Sequence, residues 1–162
     1  MNYEFNGLPL HILLVHAVVV MVPVAALCTV ATLFWPLARR RLGLLTPVLG
    51  LLSLSLVFVT TKAGEWLLLR VGQTPAILAH ANDGRTLLPW VWALSGASVA
   101  AWLWHRVSLH AWLALHIKPT AAWVVTLLFS LLVLGVCAGT IMDVLVIGEA
   151  GSRAVWGGLL GS

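Results

Sequence analysis

The chain has 162 residues, of which 61% are hydrophobic and only 9% charged, and its net charge is +4. Soluble domains carry about 45–50% apolar and about 25% charged residues, and a small domain has too much surface to hide that excess, so an ordinary soluble domain is excluded. The positive charge does not point to nucleic acid, because the basic residues lie in short connectors between apolar runs and form no stripe on a soluble face.

In chain order, the opening Met1 to Gly7 contains Glu4 and neither Lys nor Arg. It lacks the basic stretch of a signal peptide, so the first apolar run is expected to be retained. That run, residues 9–35, reads as span one. Pro9 suits a first helical turn, where its missing N–H costs nothing. Pro36 stops the helix, and Pro23 near the middle is tolerable in a membrane, where neighbours satisfy the freed carbonyl. Span two covers about 43–70, and span three about 85–104 with Asp83 or Thr86 as its N-cap. Val107 to Ile117 is weakly amphipathic and suits an interface. Span four covers about 119–147, with Gly148 as a C-cap. A spanning helix needs about 20 apolar residues, so four spans use up the length. The expectation is a single all-α domain over residues 1–162, an integral-membrane four-helix bundle.

Orientation follows from the connectors. Arg39, Arg40 and Arg41 follow span one, and Arg106 and Lys118 follow span three, with no acidic residue among them. The opposite side carries Arg70, Arg85 and Arg153, balanced by Glu4, Asp83 and Glu149. Lys and Arg bias places the first group in the cytoplasm and both termini outside it, in the inner (plasma) membrane. Trp35, Trp104 and Trp123 would mark the cytoplasmic interface, and Trp66, Trp90 and Trp156 the outer one. Cys28 and Cys137 fall in opposite halves of their spans, too far apart to pair, and read as small apolar fillers.

Ionisable residues within the spans gather in the outer half: His16 in span one, Lys62 and Glu65 in span two, Asp143 in span four. His11 and Glu149 sit at the outer rim, and His80 and Asp83 in the outer connector. The inner half has no comparable set, and His105, His110 and His116 read as interfacial. Such residues are costly in lipid and face partners. Lys62 and Glu65 are three apart and should pair. Gly135, Gly139 and Asp143 share a face, whose small residues would let helices approach and carry Asp143 inward.

One reading is structural: the cluster locks four helices in register, in an accessory membrane subunit held by the lipid bilayer and by partner subunits or a second copy. Another is a redox or metal centre, with His16, His80 and His11 supplying imidazole and Glu65, Asp143 or Glu149 oxygen. Haem b is the cofactor to consider, and it takes two axial side chains. Only His16 lies well inside a span in the outer half, and no HxxxH, ExxH or CxxC spacing adds support. A proton path would need titratable groups across the whole membrane. Hydrolytic catalysis has no motif here.

The residues also resemble a family. Phe5-Asn6-Gly7-Leu8-Pro9-Leu10-His11 through His16, then Gly64-Glu65-Trp66, His80, Thr86-Leu87-Leu88-Pro89 and the stretch from Ile147 to Trp156 look like a bacterial family of predicted four-helix membrane proteins, domain of unknown function 2231. The resemblance covers essentially the whole chain. It departs at Ile12, where a proline is common, and at Glu149, where many relatives carry histidine. The family implies four helices and a histidine-rich outer end, and carries no established activity.

Overall fold

In an apolar solvent the backbone has only itself to bond with, so long runs of Leu, Val and Ala become helix. A computed structural model of the protein describes residues 3–160. Within them the order is β1 (Glu4–Phe5), β2 (Leu8–Pro9), α1 (Leu10–Phe34), α2 (Pro36–Leu42), α3 (Leu45–Leu68), α4 (Pro75–Arg106), α5 (Leu109–His116) and α6 (Pro119–Leu160). Helices α1, α3, α4 and α6 are long and apolar enough to cross a membrane. They alternate in direction and close a ring, α1 on α3, α3 on α4, α4 on α6 and α6 on α1, with α1 also touching α4 across the middle. Helices α2 and α5 lie at the end rich in arginine, called here the basic end. The hairpin and the α3–α4 turn lie at the opposite, terminal end.

Two expected boundaries move. Helix α4 begins ten residues before residue 85, because Thr74 and Pro75 start it: the Thr74 hydroxyl accepts from the Ile77 N–H at 3.3 Å, with proline in the first turn. Asp83 and Thr86 are therefore interior residues rather than caps, and His80 and Asp83 belong to a helix rather than a connector. Helix α6 runs through Gly148 to Leu160 instead of ending there. Beyond the apolar stretch the exposed Glu149–Arg153 ion pair, four residues apart, supports the continuing helix. At about 1.5 Å per residue, α6 with its 42 residues is roughly 60 Å long, twice the hydrocarbon thickness of about 30 Å.

The interior is built mostly from small side chains, with Leu33, Leu87, Leu94 and Trp104 as larger exceptions. Val22, Ala25, Ala26, Val57, Val91, Val133 and Cys137 are buried, whereas Leu27, Leu128 and Leu132 are each 60% or more exposed. This sorting reverses that of a soluble protein, because lipid solvates leucine as well as a core does and close helix approach needs small residues. Hydroxyls stitch the helices together. Ser95 Oγ donates to the Gly50 carbonyl at 2.6 Å, Ser53 Oγ to that of Met21 at 3.4 Å, and Thr140 Oγ1 reaches that of Trp90 at 3.4 Å. Of the two glycines expected to face inward, only Gly139 does: a Cβ there would lie 2.3 Å from the Trp90 ring, whereas one at Gly135 would meet open space.

Trp104 also departs from its expected place. It is buried and stacks on Phe129 at 4.3 Å between centroids, while Trp35 and Trp123 stay at the surface. Cys28 and Cys137 are free thiols, the second buried. Arg39 folds back on the end of α1, donating through Nε to the Thr32 carbonyl and through Nη2 to that of Leu33, each at 2.8 Å. It satisfies carbonyls that the helix leaves unpaired at its C-terminus.

Candidate functional site, a histidine pair at the terminal end

The site starts with a turn. Asn6 and Gly7 both adopt positive φ (50° and 78°) and join β1 to β2, and the Leu10 N–H bonds back to the Tyr3 carbonyl at 2.8 Å. Asn-Gly favours this two-residue turn because both positions require the left-handed region. The hairpin delivers the chain into α1 at Pro9, which sets His11 in the first turn.

The His11 ring turns toward α3. Its Nδ1 lies 2.9 Å from the Thr60 carbonyl. A carbonyl can only accept, so Nδ1 carries the proton of the neutral ring and Nε2 keeps the lone pair. One turn further along α3, Gly64 makes room: a Cβ there would lie 2.9 Å from His11 Cε1 and Nδ1.

His80 comes from the second turn of α4 and packs over Gly151 of α6, where a Cβ would lie 3.0 Å from its Cε1. Its Nδ1 is buried and has no hydrogen-bond partner. A buried nitrogen without a partner forgoes roughly 1–3 kcal/mol of solvation, a cost that calls for a role. The two rings meet at 6.3 Å between centroids with their planes 67° apart. All four long helices contribute: two supply the imidazoles and two supply the glycines against which they rest.

The other expected residues are placed differently. His16 is exposed, with Nδ1 2.8 Å from the Ile12 carbonyl of its own helix, so it does not join His80. Five residues from His11 is about 140° around a helix, and His11 took the inward direction. Lys62 and Glu65 form the expected ion pair at 2.9 Å, but on an outward face, with side chains 48% and 41% exposed. Asp143 does reach its neighbour: Thr86 Oγ1 lies 2.9 and 3.1 Å from its two carboxylate oxygens and 2.7 Å from the Asp83 carbonyl. Its single proton is shared among these acceptors. Glu149 pairs with Arg153 in solvent. At the basic end His116 stacks on Trp112, and the side chain of His110 lies outside the described residues. Among the described residues no three of His, Cys, Asp and Glu converge as a metal cluster, so the centre is a pair of imidazoles without a carboxylate.

The sequence signals where α1 begins, through the Asn-Gly turn two residues before Pro9, whereas which of its histidines faces inward depends on how α1 is rotated in the bundle. No protein-family model matches the chain, and no curated protein or solved structure matches it either.

Proposed function

We propose that the chain is a multi-pass protein of the cytoplasmic (inner) membrane with both termini outside, and that His11 and His80 form a paired-imidazole centre for one metal, either haem iron or a bare transition-metal ion. The observation that carries this is the meeting of two rings at 6.3 Å, one with its Nε2 lone pair left free and the other with a buried unpartnered nitrogen. His11 through its Nε2 and His80 through its unpartnered Nδ1 would hold such a group, since neutral imidazole nitrogens are common ligands of transition metals. The Thr60 carbonyl orients His11 as a ligand's outer partner does, fixing tautomer and ring plane and raising the basicity of the other nitrogen. Gly64 and Gly151 let both rings sit low between the helices. A bound iron or copper would supply one-electron transfer. The family resemblance is part of this proposal, supported by the position of its matching residues His11, Glu65, His80 and Thr86 at one end of the bundle.

Absorption spectra and elemental analysis of the detergent-purified protein test the centre. We expect a Soret band that shifts with dithionite, or about one transition-metal ion per chain. His11→Ala and His80→Ala should each cost at least tenfold in retained metal, the effect seen for ligands and their orienting partners, while the exposed His16→Ala changes nothing. Full metal retention in both variants, or none in the wild type, would overturn it.

The interhelical Thr86–Asp143 bond favours a second reading, in which the polar residues serve only to hold the bundle as an accessory subunit, alone in lipid or beside partner helices. Under that reading His11→Ala lowers thermal stability and no spectrum changes. The orientation has its own test. Reporter fusions at the C-terminus should be active only outside the cytoplasm, and a fusion active in the cytoplasm reverses the arrangement.

A further inference from the structure

The basic end, where no polar cluster was expected, contains a cavity of about 630 Å³. Its wall is contributed by the end of α1, by α2 and α5, and by the nearby turns of α3, α4 and α6. Among its lining groups are the guanidinium-bearing Arg39, Arg40 and Arg106, the imidazole-bearing His105 and the hydroxyls of Thr46 and Ser130. The chain's five acidic residues are Glu4, Glu65, Asp83, Asp143 and Glu149, and each belongs to the terminal half. Nothing negative offsets the arginines here.

Two observations single out this cavity. Thr46 is 1% exposed, and its Oγ1 has no hydrogen-bond partner although it lines the cavity. By contrast the buried hydroxyls of Thr29, Thr32, Ser53, Ser95, Ser98 and Thr140 all donate to carbonyls. A hydroxyl left unspent in a wall is a donor waiting for an acceptor. Thr46 also sits in the first turn of α3, whose N-cap, Leu44, makes no side-chain cap bond. Pro47 has no N–H and that of Val48 bonds the Leu44 carbonyl, so the N–H groups of Leu45 and Thr46 are those that the first turn offers beside the Thr46 hydroxyl, at the positive end of a helix, where anions bind.

We propose that this cavity binds a phosphate-bearing anion. Arg40 and Arg106 neutralise the phosphate through forked N–H donors, and Thr46 Oγ1 with the first turn of α3 completes its shell. A bare phosphate would leave most of the volume unfilled. The ligand therefore carries a further part, which rests on Leu33, Ala101 and Trp104. Two sources share this chemistry: the headgroup of an anionic phospholipid, which basic pockets between membrane helices take, and a soluble phosphorylated molecule entering from water.

Equilibrium binding to the full chain in neutral detergent tests the site, with short-chain phosphatidylglycerol, the matching phosphatidylcholine and inorganic pyrophosphate as probes. Phosphatidylglycerol should bind at least tenfold more tightly than phosphatidylcholine. Arg40→Gln and Arg106→Gln should each weaken it about tenfold, and Thr46→Val about threefold or more. Arg41→Gln, outside the cavity, should stay within twofold. Both arginines substituted are exposed, so these variants fold even if Thr46→Val does not. Binding of phosphatidylglycerol alone assigns the lipid source, and tight pyrophosphate binding sensitive to the same variants assigns the soluble one. Equal binding of the two lipids with no pyrophosphate binding would overturn the proposal, as would an Arg41→Gln loss equal to that of Arg40→Gln and Arg106→Gln, the sign of diffuse charge.

Discussion

Gly50→Leu is expected to destabilise the bundle by about 3 kcal/mol or more, toward the upper end of what inserted core volume costs. At Gly50 α3 packs closely on α4. A Cβ there would lie 2.2 Å from Ser98 Oγ, 3.2 Å from Ser98 Cβ and 3.3 Å from the Ser95 Cα. The hydroxyl could rotate away, but the Ser95 backbone cannot move without taking α4 with it. The same displacement breaks the 2.6 Å bond from Ser95 Oγ to the Gly50 carbonyl, for which membrane measurements give about 0.6–2 kcal/mol. Ser95→Ala isolates that smaller part. Gly135→Leu is the control, because a Cβ there meets nothing within 4 Å and the new side chain enters lipid. Thermal unfolding in one detergent should rank Gly50→Leu far below Ser95→Ala, with Gly135→Leu near wild type. A Gly50→Leu midpoint within 2–3 °C of wild type, a shift of only about 1 kcal/mol, would show that the two helices do not meet here.

Gly64→Val and Gly151→Val should each empty the imidazole centre while leaving the helices in place. At Gly64 the added atom lies 2.9 Å from His11 Cε1 and Nδ1, so the ring must leave the Thr60 carbonyl that orients it. At Gly151 the contact is 3.0 Å to His80 Cε1. Neither valine removes a nitrogen, so lost metal would report geometry and not ligand deletion. We expect at least a tenfold fall in bound metal, as misplaced ligand orientation produces, with circular dichroism unchanged. The purely structural reading predicts the reverse, reduced stability and no change in metal content.

The four spans were legible because lipid demands about 20 apolar residues in a row, and such runs survive any detail of packing. Their ends were not. Hydropathy marks where the apolar run stops, and α4 and α6 continue beyond it, so hydropathy alone starts span three near residue 85, just before the apolar run, and misses the helix start at Thr74-Pro75. The Lys62–Glu65 pair was readable because both partners lie on one helix. His11 with His80 was not, since their meeting depends on the rotation of α1 and on a glycine from each of two other helices. At the basic end the arginines were read as a topology signal, which concerns insertion. Whether they also enclose space depends on how α2 and α5 fold back, and local pattern carries no trace of that.

The excess length of α4 and α6 bears on the histidine pair in another way. His80 and Gly151 belong to the parts of α4 and α6 that lie outside their most apolar runs, and His11 opens α1 at the same end of the bundle. A metal held by the pair, as proposed, would therefore exchange with the aqueous compartment on that side without partitioning through oil. Under the proposed function its occupancy would follow that compartment's acidity, metal supply and redox poise, and a change in any of them would reach the bundle at a place where all four long helices contribute.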